Sequence, residues 1–157
     1  MEGFNRQKLK NLSQGARLQY VREFRRLFKE DVADYFEFGG ERKERTISRY
    51  ENNSRVPSKE RLEELAELYE VSPNAIKEYK FDDPIDQIYM FMWLEEQFPY
   101  YDLILDYDAI KKTAYSMNVL NGIAEWMEMR VKRENYEITT DEYIEWKLNF
   151  EIINPIK

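Results

Sequence analysis

The sequence contains no cysteine and no histidine. Without these residues the chain has no disulfide bond, no zinc site of the usual Cys/His kind, and no Cys-His or Ser-His-Asp catalytic centre. A chain without disulfides fits a reducing cytoplasm, which is the expected location. The longest apolar run, 88–94, is far too short to span a bilayer, and residues 1–9 carry charge but no apolar core segment. We therefore expect a protein that is neither secreted nor membrane-spanning.

The composition is that of a folded protein. The 157 residues are 43% hydrophobic and include 3 Trp, 12 Tyr and 9 Phe, which is enough apolar surface for a real core. The length fits one or two small domains.

Charge divides the chain into two unlike halves. Residues 1–80 contain 17 Lys and Arg against 15 Asp and Glu, a balance of +2, whereas residues 81–157 contain 7 against 16, a balance of −9. Before Lys59 the count is 13 basic against 9 acidic residues. We therefore predict a first domain at 1–80, with its basic residues concentrated early, and a second, acidic domain at 81–157.

The spacing of apolar side chains predicts five short helices in the first half. Phe38, Gly39 and Gly40 interrupt the pattern after the second helix. Serine N-caps mark the fourth and fifth helices, and a proline follows the serine at the fifth. In chain order the predicted helices are 17–25, 29–36, 41–51, one opened by Pro57 and Ser58 that carries Leu62 to Leu68, and one from Ser72 through Ile76.

The second half is predicted to be mostly helical. Residues 85–97 are apolar almost all round, which favours a buried central helix, although a short strand remains possible from the pattern alone. Residues 101–107 fit either a short strand or a loop. Residues 110–134 read as helix with a break near 118–122, and Thr139 with Glu142 forms a capping box that opens a last helix.

The segment TISRYENNSRVPSKERLEELAELYEVS, which starts at Thr46, resembles the third and fourth helices of the Xre/Cro family of helix-turn-helix regulators. RLQYVREFRR from Arg17 and LFKEDVADYF from Leu27 resemble the first and second helices, and Val32-Ala33 takes the place of the usual Leu-Ala. The resemblance covers slightly under half of the chain and ends after Tyr79. It implies a mainly α protein, in which a five-helix lambda-repressor-like helix-turn-helix domain precedes a small, mostly helical C-terminal domain.

Two features depart from the family pattern. Phe28 and Lys29 replace the small N-cap residue and the glutamine at the start of the second helix. The turn between the second and third helices is about four residues longer, around Phe38 to Arg42, which leaves the register there open. Arg42 in this loop is a candidate for a further phosphate contact; the alternative is that the loop is a plain connector.

The resemblance also implies a function, that of a sequence-specific DNA-binding transcriptional regulator, expected to be a repressor of phage or mobile-element type. The positions with which the family reads bases correspond to Glu44, Arg45 and Arg49 in this sequence. These side chains suit the major groove, because Arg donates to both guanine acceptors and Glu accepts from cytosine N4. The alternative is that these charges only form a solvated helix face. Positions that resemble phosphate contacts fall on Lys29, Lys43, Thr46, Asn52 and Arg55.

Arg22 has a different expected role. The resemblance pairs it with Glu51 at the end of the third helix, so it is expected to stabilise the domain and not to contact DNA.

The second half has two possible roles. Its many aromatic and methionine side chains are expected to be mostly core rather than a ligand pocket, and to support a homodimer on an inverted-repeat operator in double-stranded DNA. The alternative is that the acidic domain binds a protein partner and inhibits a host defence nuclease, as an anti-CRISPR protein does, while the helix-turn-helix controls its own promoter.

An enzyme, a cofactor and a metal site are all disfavoured. Asp102, Asp106 and Asp108 match no calcium-loop spacing. Glu95 and Glu96 are adjacent on the predicted helix, and such neighbours are expected to point apart, so we expect no paired-carboxylate catalysis.

Overall fold

The computed structural model describes residues 8–80, 82–98 and 117–152. Within these ranges every regular element is an α-helix, so the predicted mainly α fold is confirmed. Among these helices, none combines the length and the apolar composition that a membrane crossing requires. The helices are α1 Gln14–Phe24, α2 Lys29–Tyr35, α3 Arg45–Glu51, α4 Lys59–Tyr69, α5 Pro73–Ile76, α6 Pro84–Gln97, α7 Met117–Glu134 and α8 Thr140–Leu148.

The predicted start signals of the fourth and fifth helices are confirmed. The hydroxyl of Ser58 accepts a hydrogen bond from Arg61 N at 3.2 Å, and Ser72 caps α5 ahead of Pro73. The third helix, predicted for 41–51, begins only at Arg45, because residues 41–44 form a hydrogen-bonded turn.

Helix α1 packs against α3 at very short range, a contact that no local sequence pattern indicates. A Cβ atom on Gly15 would lie 2.5 Å from the backbone oxygens of both Tyr50 and Glu51, so only glycine fits here. Asn53, in the left-handed region at φ 62°, accepts a hydrogen bond from Gly15 N at 2.8 Å. The end of α3 is therefore tied to the start of α1.

The second half contains the predicted central helix. α6 buries Ile88, Tyr89, Met92 and Trp93, which decides the alternative between helix and strand in favour of helix. The capping box at the last helix is also confirmed, because the hydroxyl of Thr139 accepts from Glu142 N at 3.1 Å.

The predicted break near residues 118–122 is wrong, because α7 runs without interruption through this stretch. Gly122 instead makes room for a side chain of the neighbouring helix. A Cβ atom there would lie 2.3 Å from Cδ1 of Ile88, so the glycine lets α6 approach α7 closely. The ambiguous segment 101–107 and residues 110–116 of the predicted helix lie outside the described residues.

Aromatic side chains join the two halves in one core. The rings of Tyr20 and Trp93 meet edge to face at a centroid distance of 5.3 Å, and the indole N–H of Trp93 donates to Ala75 O at 3.1 Å. Most of the aromatic and methionine residues predicted as core are buried or partly buried, whereas Phe91 is 40% exposed. The division at residue 80 thus remains a prediction about folding units, across which the described residues pack together.

A buried cluster of charged side chains lies within this contact. The carboxylates of Glu95 and Glu96 both bind the ammonium group of Lys147, and all three residues are at most 4% exposed. The expectation that these carboxylates point apart is wrong, because the long side chain of Lys147 reaches both. Tyr143 OH donates to Glu95 at 2.8 Å, and Tyr20 OH donates to Glu96 at 2.7 Å.

The ammonium group of Lys147 stabilises the ionised carboxylate of Glu95. Burial alone raises the pKa of Glu95, but the Lys147 ammonium outweighs it and holds this pKa below its ordinary value. Glu95 is therefore ionised near neutral pH, and the cluster is an ionic contact between helices α6 and α8 that also reaches α1 through Tyr20.

Further ion pairs cross between the halves. Arg25, after α1, donates to both carboxylate oxygens of Glu145 at 2.5 and 2.7 Å and to Tyr69 O at 2.5 Å. Lys77 pairs with Asp86 at 2.7 Å. Part of the acidic charge of the second half is therefore neutralised by basic residues of the first.

Candidate nucleic-acid interface

Helix α3 has one buried and one exposed face. Ile47 and Tyr50 point into the core, at 1% and 6% exposure. Arg45 and Arg49 are exposed and lie four residues apart, so their side chains emerge from the same face about one turn from each other. Among the described residues, neither guanidinium has a hydrogen-bond or ion-pair partner. Both are free to donate to a ligand.

A buried ion pair anchors this helix. Arg22 of α1 binds Glu51 through both carboxylate oxygens, at 2.6 and 3.1 Å, which confirms the predicted pairing. Burial disfavours the charge of Arg22, but the Glu51 carboxylate outweighs that cost and raises the pKa of Arg22. Arg22 also donates to Leu27 O at 2.6 Å, so one side chain holds α1, the start of α2 and the end of α3 together.

The other residues predicted on α3 are less accessible than the two arginines. Glu44 occupies the N-cap position with helical backbone angles, is half-buried, and makes no side-chain capping bond. Thr46 is also half-buried. Both lie at the start of α3, beside Arg45.

The two predicted lysine contacts differ in their surroundings. The ammonium of Lys29 lies 3.2 Å from Ser48 Oγ and 3.6 Å from Glu51 Oε2, so α2 presents it next to the middle of α3. Lys43 instead pairs with Asp34 of α2. Lys43 reaches a phosphate only if it exchanges this partner.

The loop after α3 carries the last two predicted residues. Asn52 Oδ1 accepts from the backbone N of Ser54 at 2.9 Å and from its hydroxyl at 2.5 Å, so the Asn52 side chain shapes the turn that ends the helix. Arg55 is exposed, its backbone N donates to Arg49 O at 3.1 Å, and its guanidinium lies 5.9 Å from the ring of Tyr50.

The structure thus places Lys29 beside α3, the helix that carries Arg45 and Arg49, and places Asn52 and Arg55 directly after it. Lys43 instead pairs with Asp34. Ser48 was not among the predicted site residues, although its hydroxyl lies 3.2 Å from the ammonium of Lys29. A small polar residue between two basic positions of a helix gives only a weak signal, because many such residues simply face solvent.

The acidic residues considered for a metal site and for paired-carboxylate catalysis fall partly outside the described residues. Asp102, Asp106 and Asp108 lie outside them. Within the described ranges, Glu95 and Glu96 are buried, and no group of acidic residues is arranged to hold a metal ion.

Comparison with known proteins identifies the same region. A family model described as Helix-turn-helix matches residues 43–76, which span α3, α4 and α5. The match agrees with the Xre/Cro resemblance over α3 to α5, so this region is a helix-turn-helix of the kind found in DNA-binding transcriptional regulators. Neither the comparison with curated proteins nor that with solved structures found a match.

Proposed function

We propose that this chain is a sequence-specific transcriptional repressor of phage or mobile-element type that reads operator DNA with α3. One observation carries the proposal. Arg45 and Arg49 are exposed on one face of a helix whose other face is fixed by the buried Arg22–Glu51 pair, and both lack a partner among the described residues. A rigid helix with two free guanidinium groups suits the major groove.

The individual roles follow from the chemistry of each side chain. Arg45 and Arg49 donate to the O6 and N7 atoms of guanine, and Glu44 accepts from cytosine N4. The phosphate contacts fix the orientation of the head without reading the sequence. These are assigned to Lys29, Lys43, Thr46, Asn52 and Arg55.

The repressor acts as a two-fold dimer on an inverted repeat. Large apolar side chains are exposed in the second half, at Phe91, Phe98, Met117 and Val131, and such surface supports association between copies. The two heads then reach half-sites separated by about one helical turn of DNA, roughly 34–36 Å, or a multiple of it.

Selection from a pool of random DNA duplexes tests this function. The full-length protein is expected to enrich an inverted repeat with guanine in each half-site, and sedimentation is expected to give a dimer at micromolar concentration. Recovery of no preferred sequence would contradict specific DNA binding. A monomer both free and on the selected duplex would remove the dimer while leaving the DNA contacts in place.

A further inference from the structure

Phe28 is the most exposed large apolar side chain among the described residues of the first half, at 73%. It directly precedes α2, whose inward residues Val32 and Ala33 are fully buried. The ring therefore adds little to the core. Single exposed apolar side chains are common on proteins, so exposure alone does not indicate a function for Phe28. Its position in the fold is the more informative observation.

The fold needs little from this side chain. The residue before a helix usually caps it with a side-chain oxygen, and Phe28 has none. Asp31 compensates in part, because its carboxylate accepts from the backbone N–H of Phe28 at 2.6 Å. A polar residue here would cap α2 better, so the phenylalanine is not explained by the stability of the helix.

Phe28 lies at the edge of the candidate interface. Its neighbour Lys29 reaches Ser48 and Glu51 of α3, so the start of α2 runs beside the helix that carries Arg45 and Arg49. Phe28, which precedes Lys29, therefore lies at the end of α2 that packs beside α3.

We propose that the ring of Phe28 contacts the 5-methyl group of a thymine and so reads one T·A pair in each half-site. The inference rests on the proposed DNA-binding function and extends it. A phenyl ring has no hydrogen-bonding group for a phosphate or a base edge, whereas the thymine methyl is the apolar group that DNA presents in the major groove. Phe28 thereby adds an apolar contact to the polar readout of α3.

Replacement of thymine by deoxyuridine, which lacks only the methyl group, tests the contact. Each thymine of the selected operator is replaced in turn, and binding of the wild-type protein and of Phe28→Ala is measured by fluorescence anisotropy. At one position of the half-site the wild type is expected to lose about fourfold in affinity, the effect of about one buried methyl-sized group. Phe28→Ala is expected to bind the two duplexes equally.

Two further variants separate a DNA contact from other roles. Phe28→Leu keeps an apolar side chain and is expected to retain part of the sensitivity to deoxyuridine. Tyr136→Ala removes a ring that is 94% exposed in the second half and is expected to keep the full wild-type response. Thermal unfolding of Phe28→Ala is expected to match that of the wild type, because the ring is exposed.

The results distinguish this inference from the proposed function. A wild-type protein that selects an operator but responds to no thymine replacement overturns the methyl contact alone, as does a Phe28→Ala variant that keeps the wild-type response. A change of oligomeric state in Phe28→Ala, with deoxyuridine sensitivity unchanged, assigns the ring to association between copies and overturns the contact. Selection of no sequence by the wild type overturns both proposals.

Discussion

Basic side chains occupy two opposite settings in this protein. On α3, Arg45 and Arg49 are exposed and have no partner among the described residues. Between α6 and α8, Lys147 is 3% exposed and binds two carboxylates. A buried and paired charge is committed to the structure, because loss of its partner leaves an uncompensated charge in the core. An exposed and unpaired charge remains available to a ligand.

The same distinction between buried and exposed charges applies to the acidic residues of the second half. Its balance of −9 suggests an acidic surface, yet Asp86, Glu95 and Glu96 are buried. Asp86 binds Lys77, and Glu96 accepts from Tyr20, both of which belong to the first half. Some of the charge asymmetry between the halves therefore serves the contact between them.

The largest expected effect is on Lys147. Lys147→Met keeps the apolar stem but leaves Glu95 and Glu96 without their ammonium partner, so the free energy of unfolding is expected to fall by about 3–5 kcal/mol, measured by urea denaturation. Lys132→Met is the matched control, because Lys132 pairs with Glu128 at the surface, and it is expected to leave stability unchanged. Equal stability of the two variants would contradict the structural role of the cluster.

The next largest effect is expected at Gly15. Gly15→Ala places a methyl group against two backbone oxygens of α3 that have little freedom to move, so stability is expected to fall by about 1–3 kcal/mol. Gly39→Ala is the control, because a Cβ atom on Gly39 meets nothing within 4 Å. Thermal unfolding of the two variants gives the comparison. Equal unfolding midpoints of the two variants would show that α1 and α3 leave room for a methyl group at residue 15.

Lys29 is expected to give a smaller effect, seen mainly in DNA binding. Lys29→Ala should weaken binding to all duplexes alike and reduce the slope of affinity against salt concentration by about one. Lys43→Ala should change this slope less, because among the described residues Asp34 is the one acidic group that Lys43 contacts, and it binds Lys43 closely. Glu51, which lies 3.6 Å from the Lys29 ammonium, is by contrast already bound by Arg22. Anisotropy titrations at several salt concentrations measure both slopes. A loss confined to the operator sequence would make Lys29 a base contact instead.

The sequence predicted those parts of the fold that depend on local signals. The caps at Ser58, Ser72 and Thr139 follow from hydrogen bonds within one helical turn, and the Arg22–Glu51 pair follows from the family resemblance. The break expected around Gly122 was wrong, because a glycine that admits Ile88 resembles a helix breaker when read from the sequence alone.

The parts that could not be predicted depend on contacts distant in the chain. Lys147 joins Glu95 and Glu96 across about fifty residues, and no local pattern marks the three as partners. The same limit applies to the candidate interface. The family resemblance implied base-reading positions at Arg45 and Arg49, but only the fold reveals that Lys43 is paired with Asp34 whereas Lys29 lies beside α3.

The most direct test of the central claim compares the selected operator with a scrambled duplex of the same composition, for wild type and for an Arg45→Ala/Arg49→Ala double variant. The wild type is expected to prefer the operator, and each arginine to contribute roughly 1–3 kcal/mol to that preference. The double variant should unfold like the wild type yet bind both duplexes almost equally. A double variant that retains the full preference would show that α3 does not read the sequence through these arginines.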